Sequence, residues 1–441
     1  MRSHTTVASP RTRGRRLIQV LWILARHTVR HLREHAHLRR HRRSPSDHRS
    51  ISAVRALRVR LLLEDLGVVA IKFGQILSTR PDVLPPEYET ELSKLQDAAP
   101  PEPSAQIEAV IEAELGRPLG TVFESFDPVP LAAASIGQAH AATLADGSDV
   151  VVKIRRPGVV AQVDLDLDLL TATVTTLSRW SRRARRYDVS GLAQEFGQTL
   201  RTELDYEQEA AHAERFAANF ADDPTIHIPR VYPEASTARV ITLERLRGLK
   251  LDDLAGLDAA GIDRAQLAQR AADAILTMVF EHRFFHADLH PGNFFVEPDG
   301  RIGVVDFGMV GIVDATTRAA LLGVLVAIIG GGTALLGDAI TELGFDTRAF
   351  DQEVLLADLR ALFATHLQRP LGELALGALL RDVLGVFRHH HLRLPANLAV
   401  LTKTFAMCEG VAAHLDPTFR MTAALLPYVQ HLTTTEALTS P

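Results

Sequence analysis

The sequence predicts an α+β fold of two lobes behind an N-terminal helical extension, and three observations predict it. Between Pro130 and Arg156, short alternating and β-branched runs replace helical periodicity. From 251 to 430 nearly everything reads as helix except 284–308. The Pro-rich segment Pro100-Pro101-Glu102-Pro103 reads as a linker that separates both regions from helical stretches upstream. A chain of 441 residues, 46% of them hydrophobic, is long enough for more than one core. The reading divides it into a basic arm (1–50), a helical extension (51–104), a small lobe (105–247), a helical large lobe (248–430) and a tail (431–441).

In chain order, residues 1–60 carry sixteen Arg against Glu34 and Asp47, a net of +14 in a chain whose total is −5, so the remainder carries −19. Such an arm reads as a solvated, flexible tail or as a contact for anionic lipid headgroups, ahead of nucleic acid. Its apolar stretch Leu17–Ala25 is far short of the ~20 residues that a membrane span needs. No small-residue cleavage site follows it, which argues against secretion. Val54, Leu57, Leu61 and Leu62 place an apolar stripe on a helix over 51–80, ended by Arg80-Pro81. A second helix starts near Glu87, and Ser104 is placed to cap a third that runs to Leu115 and stops at Gly116.

Ala139–Leu144 and Val150–Ile154, separated by Asp146-Gly147, read as a hairpin. Helices are expected over 160–180 and 190–220, and a strand over 239–243. Ala319–Gly337 holds nineteen uncharged residues, but Gly330-Gly331-Gly332 favours two core helices joined by a turn over one membrane span. The single cysteine, Cys408, excludes a disulfide framework and any multi-cysteine zinc site, and it fits a reducing, cytoplasmic compartment.

The chemistry concentrates in His286-Ala287-Asp288-Leu289-His290-Pro291-Gly292-Asn293 and Asp306-Phe307-Gly308, with strand-like runs at 294–296 and 302–305 between them. Phosphoryl transfer needs a carboxylate to position or deprotonate the acceptor. It also needs an amide oxygen and a second carboxylate for Mg²⁺ beside the nucleotide phosphates. Asp288, Asn293 and Asp306 are those residue types at protein-kinase spacing. His282, His286 and His290 share a four-residue spacing that would suit zinc on a helix, yet Pro291-Gly292 argues for a loop and no Glu between them offers a base.

Upstream, Lys153 sits on a strand from which it would reach phosphates. The loop before it runs through Ala132, Ala133, Ala134, Ser135, Ile136, Gly137 and Gln138, where a protein kinase places a glycine-rich phosphate loop; only Gly137 is glycine. Between the lysine and the catalytic loop, Glu203, Asp205 and Glu209 fall on a single expected helix. One of these acids should pair with Lys153, and Glu209 lies about 600° from Glu203 by helical phase, so the cluster can serve two partners.

Taken together, Lys72-Phe73-Gly74-Gln75, the Ala-rich loop, Lys153, Glu203-x-Asp205, the 286–293 segment and Asp306-Phe307-Gly308 resemble the UbiB/AarF family of atypical kinases over roughly residues 60–420. The resemblance implies a protein-kinase-like fold whose N-terminal extension carries a K-x-G-Q motif, with Lys72 and Gln75 regulatory. Lys72 would meet Glu203 or Asp205, leaving Glu209 for Lys153. It implies ATP or ADP with Mg²⁺, and a link to isoprenoid-quinone (ubiquinone-type) biosynthesis and lipid handling. The expected partners are a lipid or quinone-precursor ligand and other lipid-pathway enzymes, and ATPase or small-molecule phosphotransfer is expected over protein phosphorylation.

The residues agree with that last point, since no A-P-E-type segment follows Asp306 and Ala287 replaces the arginine that reads activation-loop phosphate in many kinases. The first expectation is an enzyme, with Asp288 activating water or a small acceptor; the alternative is a nucleotide-gated scaffold. No hydrophobic hairpin closes the chain, only the short run 423–429, so membrane contact is expected to be peripheral, through residues 15–40 on the cytoplasmic face.

Overall fold

The Ala139–Ile154 hairpin is the centre of the first of two structural units. A computed structural model describes residues 10–40, 47–78, 84–95, 99–181, 189–330, 351–366, 375–390, 392, 394–425 and 427–428. The Arg80-Pro81 helix end, Gly331-Gly332 and the 431–441 tail lie outside these. The first unit comprises Met1–Arg80, Leu84–Gln208 and Val231–Arg245; the second comprises Pro81–Val83, Glu209–Arg230 and Leu246–Pro441.

The first unit opens with α1 (Pro10–Arg40), α2 (Asp47–Leu66), α3 (Val68–Ser78) and α4 (Pro86–Leu92). The helix expected over 51–80 is therefore two, broken at Gly67, whose φ of +96° is open to glycine and strained for other residues. The basic arm also departs from a loose tail: most of it is the helix α1. Arg16 explains why. Its guanidinium donates to both carboxylate oxygens of Asp166, at 2.6 and 2.8 Å, and to the Leu66 carbonyl at 2.7 Å. Asp166 is buried and Arg16 is largely shielded from solvent. Removing one partner of such a pair typically costs about 3–5 kcal/mol, enough to hold a helix that composition alone would release.

Next come α5 (Ser104–Leu115), α6 (Leu119–Val122), and the strands β1 (Phe123–Phe126), β2 (Ala132–Ala133), β3 (Gly137–Leu144) and β4 (Asp149–Arg155). Ser104 is the first residue of its helix and not its cap: Pro103 takes the cap position, and the Ser104 hydroxyl bonds Glu108 instead. The antiparallel sheet runs β1-β3-β4-β6, with β2 on β3 and β6 at Val240–Glu244. Along β4 the side chains alternate. Val150, Val152 and Ile154 are fully buried against Ile107 and Ile111 of α5, so Lys153 lies on the opposite face.

After β4 come α7 (Val159–Trp180) and α8 (Val189–Glu203). Phe196 and Leu200 of α8, with Val163 and Leu167 of α7, bury Val69 and receive Phe73 of α3, whose ring meets Phe196 edge-on at 5.1 Å. Full burial of such side chains contributes about 1.5–3 kcal/mol each, so α3 is fixed in position by its apolar face.

The expected helix 190–220 is also two. It breaks at Leu204-Asp205, where Arg155 takes the Leu204 carbonyl and the Asp205 side chain accepts from Glu207 N at 3.1 Å to start α9 (Tyr206–Asn219). The chain joins the second unit at Glu209, adds β5 (Ile226–His227), and returns for β6. Residues 209–230, read from the sequence as small lobe, thus belong with the second unit.

That unit contains β7 (Leu249–Lys250), α10 (Leu254–Ala259), α11 (Arg264–Phe280), β8 (Phe284–His286), β9 (Phe294–Val296), β10 (Ile302–Val304) and β11 (Val310–Ile312). They are followed by α12 (Ala315–Gly330), α13 (Gln352–His366), α14 (Leu376–His389) and α15 (Ala396–Leu415). One sheet has the order β5-β10-β9-β7; β8 and β11 pair separately. The strand β11 extends the non-helical region beyond 308, where helix was expected.

Candidate active site

The two functional loops are tied together by one buried histidine. His286 ends β8 and is wholly buried. Its Nε2–H donates to the carbonyls of Asp306 at 2.8 Å and Val305 at 3.3 Å, while Nδ1 accepts from Asp288 N at 3.2 Å. Donation from one nitrogen and acceptance at the other require the neutral ring, and burial pushes its pKa below the usual value in agreement. His286 therefore couples the Asp288 loop to the Asp306 loop. A further bond, Val305 N to Asn293 O at 2.9 Å, runs between the same segments.

Asp288 precedes a 3₁₀ turn, Pro291–Asn293, of which Asn293 is the last residue. The Asn293 amide nitrogen donates to the Asp288 carbonyl at 3.0 Å and to its Oδ2 at 3.2 Å. With its nitrogen so engaged, the amide presents its oxygen on the other side. Asp306 is solvent-exposed and holds φ at +65°, an unusual backbone for a non-glycine residue. Such strain costs on the order of 1–3 kcal/mol and persists only where neighbours fix it. Here His286 takes its carbonyl, and Phe307 beside it is fully buried with its ring 5.3 Å from Phe216 and 5.9 Å from His286. His212 Nδ1 donates to the Phe307 carbonyl at 2.9 Å. His286, His212 and Phe216 thus pin the Asp-Phe-Gly turn and leave the Asp306 carboxylate at the surface.

The donor set fits a hard divalent cation that shares its shell with phosphates and water: an amide oxygen at Asn293 and a carboxylate at Asp306. Among the described residues no group of three or more His, Cys, Asp or Glu is placed to hold a metal by itself. The histidine spacing has a separate explanation. His286 lies on a strand and is spent on the loops, and His290 accepts from Gly292 N at 3.1 Å.

In the first unit, Ala132 and Ala133 form β2, Ala134-Ser135-Ile136 turns the chain, and Gly137 and Gln138 begin β3. Gly137 is glycine because a Cβ there would fall 2.8 Å from the Ile154 carbonyl and 2.3 Å from the Tyr206 hydroxyl. Gln138, expected among the nucleotide contacts, is turned to another task. Its Oε1 accepts from Glu102 N at 2.9 Å, its Nε2 meets His140 Nε2 at 2.7 Å, and the side chain is buried. Arg156, which the sequence reading passed over, clamps the same loop, donating to Ala134 O at 2.7 Å, to Glu102 at 2.8 Å and to Pro100 O at 2.6 Å.

Lys153 pairs in register with Ala139 on one side and Ile241 on the other. Lys72, on α3, forms an ion pair with Glu203, the last residue of α8. Gln75 donates to Leu95 O at 3.1 Å. Asp205 sits in the break between α8 and α9, and Glu209 is buried on α9, so the three acids do not share one helix. Helical phase therefore does not relate Glu203 to Glu209. His212 and Lys403, which lies 3.7 Å from Asp288 Oδ1, also escaped the sequence reading; each is far along the chain from the loop it touches.

A strand-framed pair of loops presenting Asp288, Asn293 and Asp306, with a lysine-bearing antiparallel sheet, defines a protein-kinase-like protein. Residues 94–336 match the family model of the ABC1 atypical kinase-like domain, and 359–420 match that of the UbiB helical domain. A Marinobacter nauticus protein named probable protein kinase UbiB is 35% identical over 85% of this chain and 69% of its own length. Two uncharacterized Synechocystis proteins, sll1770 and sll0095, are 36% and 35% identical over 84% and 83% of this chain; it spans 63% and 66% of their lengths. The solved complex of Rv3197 from Mycobacterium tuberculosis with erythromycin aligns with a TM-score of 0.57 at 28% identity, covering 82% of this chain and 93% of that one. The chain belongs to the ABC1/UbiB family of atypical kinase-like proteins.

Among the described residues one helix, Asn397–Leu415, is long and apolar enough to cross a membrane. It coincides with α15, whose Leu398, Leu401, Phe405, Cys408 and Ala412 are buried in the second unit. Burial there pushes the Cys408 thiol up to about 12.

Proposed function

We propose that the protein binds Mg-ATP and transfers or hydrolyses its terminal phosphoryl group in support of isoprenoid-quinone or membrane-lipid metabolism. The observation that carries this reading is the arrangement of Asp288, Asn293 and Asp306 on loops coupled through His286. Asn293 and Asp306 would hold Mg²⁺, and Lys153 would hold phosphate. When bound, Mg-ATP would supply the phosphoryl group, and its Mg²⁺ would supply positive charge to offset that of the phosphates. Asp288 orients water or a small hydroxyl acceptor and takes its proton as the acceptor oxygen bonds to the γ-phosphorus. The bridging P–O bond breaks with its electron pair on ADP.

Only three residues separate Gly311 from α12, which leaves little chain to dock a peptide, so a small or lipid-derived acceptor fits better than protein. That Rv3197 was solved in complex with erythromycin is consistent with a small molecule as ligand. A nucleotide-gated scaffold is the second reading. The clamped Ala-rich loop and the Lys72–Glu203 pair motivate it, because both restrict movement near the expected phosphate loop.

Equilibrium binding of ATP and phosphate release, each with and without Mg²⁺, test the reading on the wild type and Asp306→Asn. Mg²⁺-dependent affinity that falls by more than about tenfold in the variant supports the metal assignment. Unchanged affinity refutes that assignment, and nucleotide binding without turnover leaves the scaffold standing.

The lipid arm of the reading rests on α1. Leu17, Ile18, Leu21 and Trp22 are exposed on one side of it, Arg15 and Arg26 lie at the margin, and Arg26 stacks over Trp22 at 5.1 Å. An apolar stripe with an arginine rim suits the interface of an anionic bilayer. Co-sedimentation with phosphatidylglycerol vesicles should be strong, weak with phosphatidylcholine vesicles, and largely lost in Ile18→Asp/Trp22→Asp. Equal binding by wild type and variant would contradict it.

A further inference from the structure

The two oxygens of the Asp288 carboxylate have different partners. Oδ2 accepts from the Asn293 amide at 3.2 Å, within the catalytic loop. Oδ1 faces the Lys403 ammonium at 3.7 Å, and that lysine comes from α15, in the stretch that matches the UbiB helical domain. The distance is that of an ion pair and longer than a direct hydrogen bond. Lys403 is 22% exposed, low for a side chain whose charge normally stays in water.

The helix that carries it is fixed in rotation. Ala399, Leu401, Thr404 and Phe405 around it are buried, the Thr404 hydroxyl bonds Val400 O at 3.0 Å, and the Phe405 ring lies 6.4 Å from Phe280 of α11. Further along, Glu409 accepts from the first backbone N–H groups of α14, at 2.9 Å from Leu376 and 2.5 Å from Gly377. An ammonium set on so constrained a helix is held at the carboxylate by the fold and not by the reach of a mobile side chain alone.

The catalytic loop itself brings no such cation. Between Asp288 and Asn293 it reads Leu289-His290-Pro291-Gly292, and the His290 ring is turned back to accept from Gly292 N. Phosphoryl transfer places a dense negative charge beside the base, and fixed positive charge close by offsets it without solvent reorganisation.

We propose that Lys403 is a positioning residue of the phosphoryl-transfer site, supplied by the helical domain to hold Asp288 Oδ1 in place. The inference rests on the nucleotide reading above. In the step it serves, the acceptor oxygen bonds to the γ-phosphorus, the bond to the bridging oxygen breaks with its electron pair on ADP, and the acceptor proton passes to Asp288. Lys403 keeps its own proton throughout. It acts by turning Oδ1 toward the acceptor while Asn293 fixes Oδ2, so the carboxylate cannot rotate between the two.

The test uses the full chain and Mg-ATP, measuring kcat for phosphate release, the Mg-ATP Kd and the melting temperature for wild type, Lys403→Met and Lys403→Arg. Lys403→Met should lower kcat by about 10- to 100-fold with Kd within about twofold, as expected when a base is misoriented. Lys403→Arg, which keeps the charge, should recover part of the rate. In an Asp288→Asn background the Lys403→Met loss should vanish, because the group it positions is gone. Wild-type kcat in a folded Lys403→Met overturns the proposal, as does an equal loss in both backgrounds. If Lys403→Met unfolds, a Lys403→Arg that melts like wild type and recovers no rate relative to Lys403→Gln overturns it as well. A wild type that neither binds nor hydrolyses Mg-ATP fails the nucleotide reading itself, and the Lys403 assignment falls with it; an active wild type with an indifferent Lys403 fails only the latter.

Discussion

The catalytic loop and the Ala-rich loop are both short segments between strands, but they spend their polar groups in opposite ways. Around Asp288 and Asp306, the buried His286 and Phe307 and the half-buried His212 fix the backbone, while the two carboxylates stay at least partly open to solvent. Around 132–138 the polar side chains themselves are consumed, with Gln138 satisfied at both ends and Arg156 bonded to the loop and to the linker before it. One loop is rigid so that its side chains can act on something else. The other is rigid because its side chains are spent on its own backbone and its immediate neighbours. Substitutions should therefore separate into those that change turnover and those that change stability.

The largest effect that would break this contrast lies in the catalytic loop. Asn293→Ala removes the amide that orients Asp288 and the oxygen assigned to Mg²⁺, and phosphate release should drop by about 10²–10³-fold while the melting temperature moves little. A large loss of stability with normal turnover would reverse the assignment. His286→Ala is the informative exception. It should impair both, because the residue is buried and couples the loops; loss of its three hydrogen bonds and its packing should cost about 2–4 kcal/mol in denaturant unfolding.

In the Ala-rich loop, Arg156→Met should destabilise the protein by about 3 kcal/mol, since Glu102 and two carbonyls lose a charged donor, with a smaller change in turnover than Asn293→Ala produces. If turnover falls as far as in Asn293→Ala, the two loops are not separable in this way.

The pH dependence gives a gentler test. Burial lowers the pKa of His286, and also of His282, below the ordinary 6.5. Below that pH the unfolded chain takes up protons that the folded chain refuses. Stability is then fully present above about 6.5 and is lost as pH falls toward the depressed folded values, with a slope of up to about 1.4 kcal/mol per pH unit for each proton. Burial raises the Asp273 carboxyl and works in the opposite direction, but from 3.8 upward, a lower window. Urea titrations between pH 7.5 and 5.5 should show the acid loss, and an isolated flat profile there would contradict the neutral, buried His286.

Much of the site was legible in the sequence because phosphoryl chemistry fixes residue types at short spacings. Asp288, Asn293 and Asp306 fall within one stretch of strand, loop and strand, and the Asp146-Gly147 turn announces the hairpin that carries Lys153. What escaped depends on partners distant along the chain. Arg16 looks like one more arginine of a basic arm until Asp166, 150 residues away, is found beside it. His212, Arg156 and Lys403 carry no local pattern that sets them apart from ordinary helix or strand-end residues. The break at Leu204-Asp205 was hidden as well, since the helical pattern continues through it, and it is the Arg155 contact to the Leu204 carbonyl that marks the end of α8.

The central claim is that Asp288 performs chemistry and does not merely shape the loop. Phosphate release and Mg-ATP affinity measured on the same preparations of wild type and Asp288→Asn test it most directly. The account predicts a fall in turnover of at least about 10²-fold with affinity within about threefold, the signature of a lost base in an intact binding site. Turnover at the wild-type rate in Asp288→Asn would contradict it.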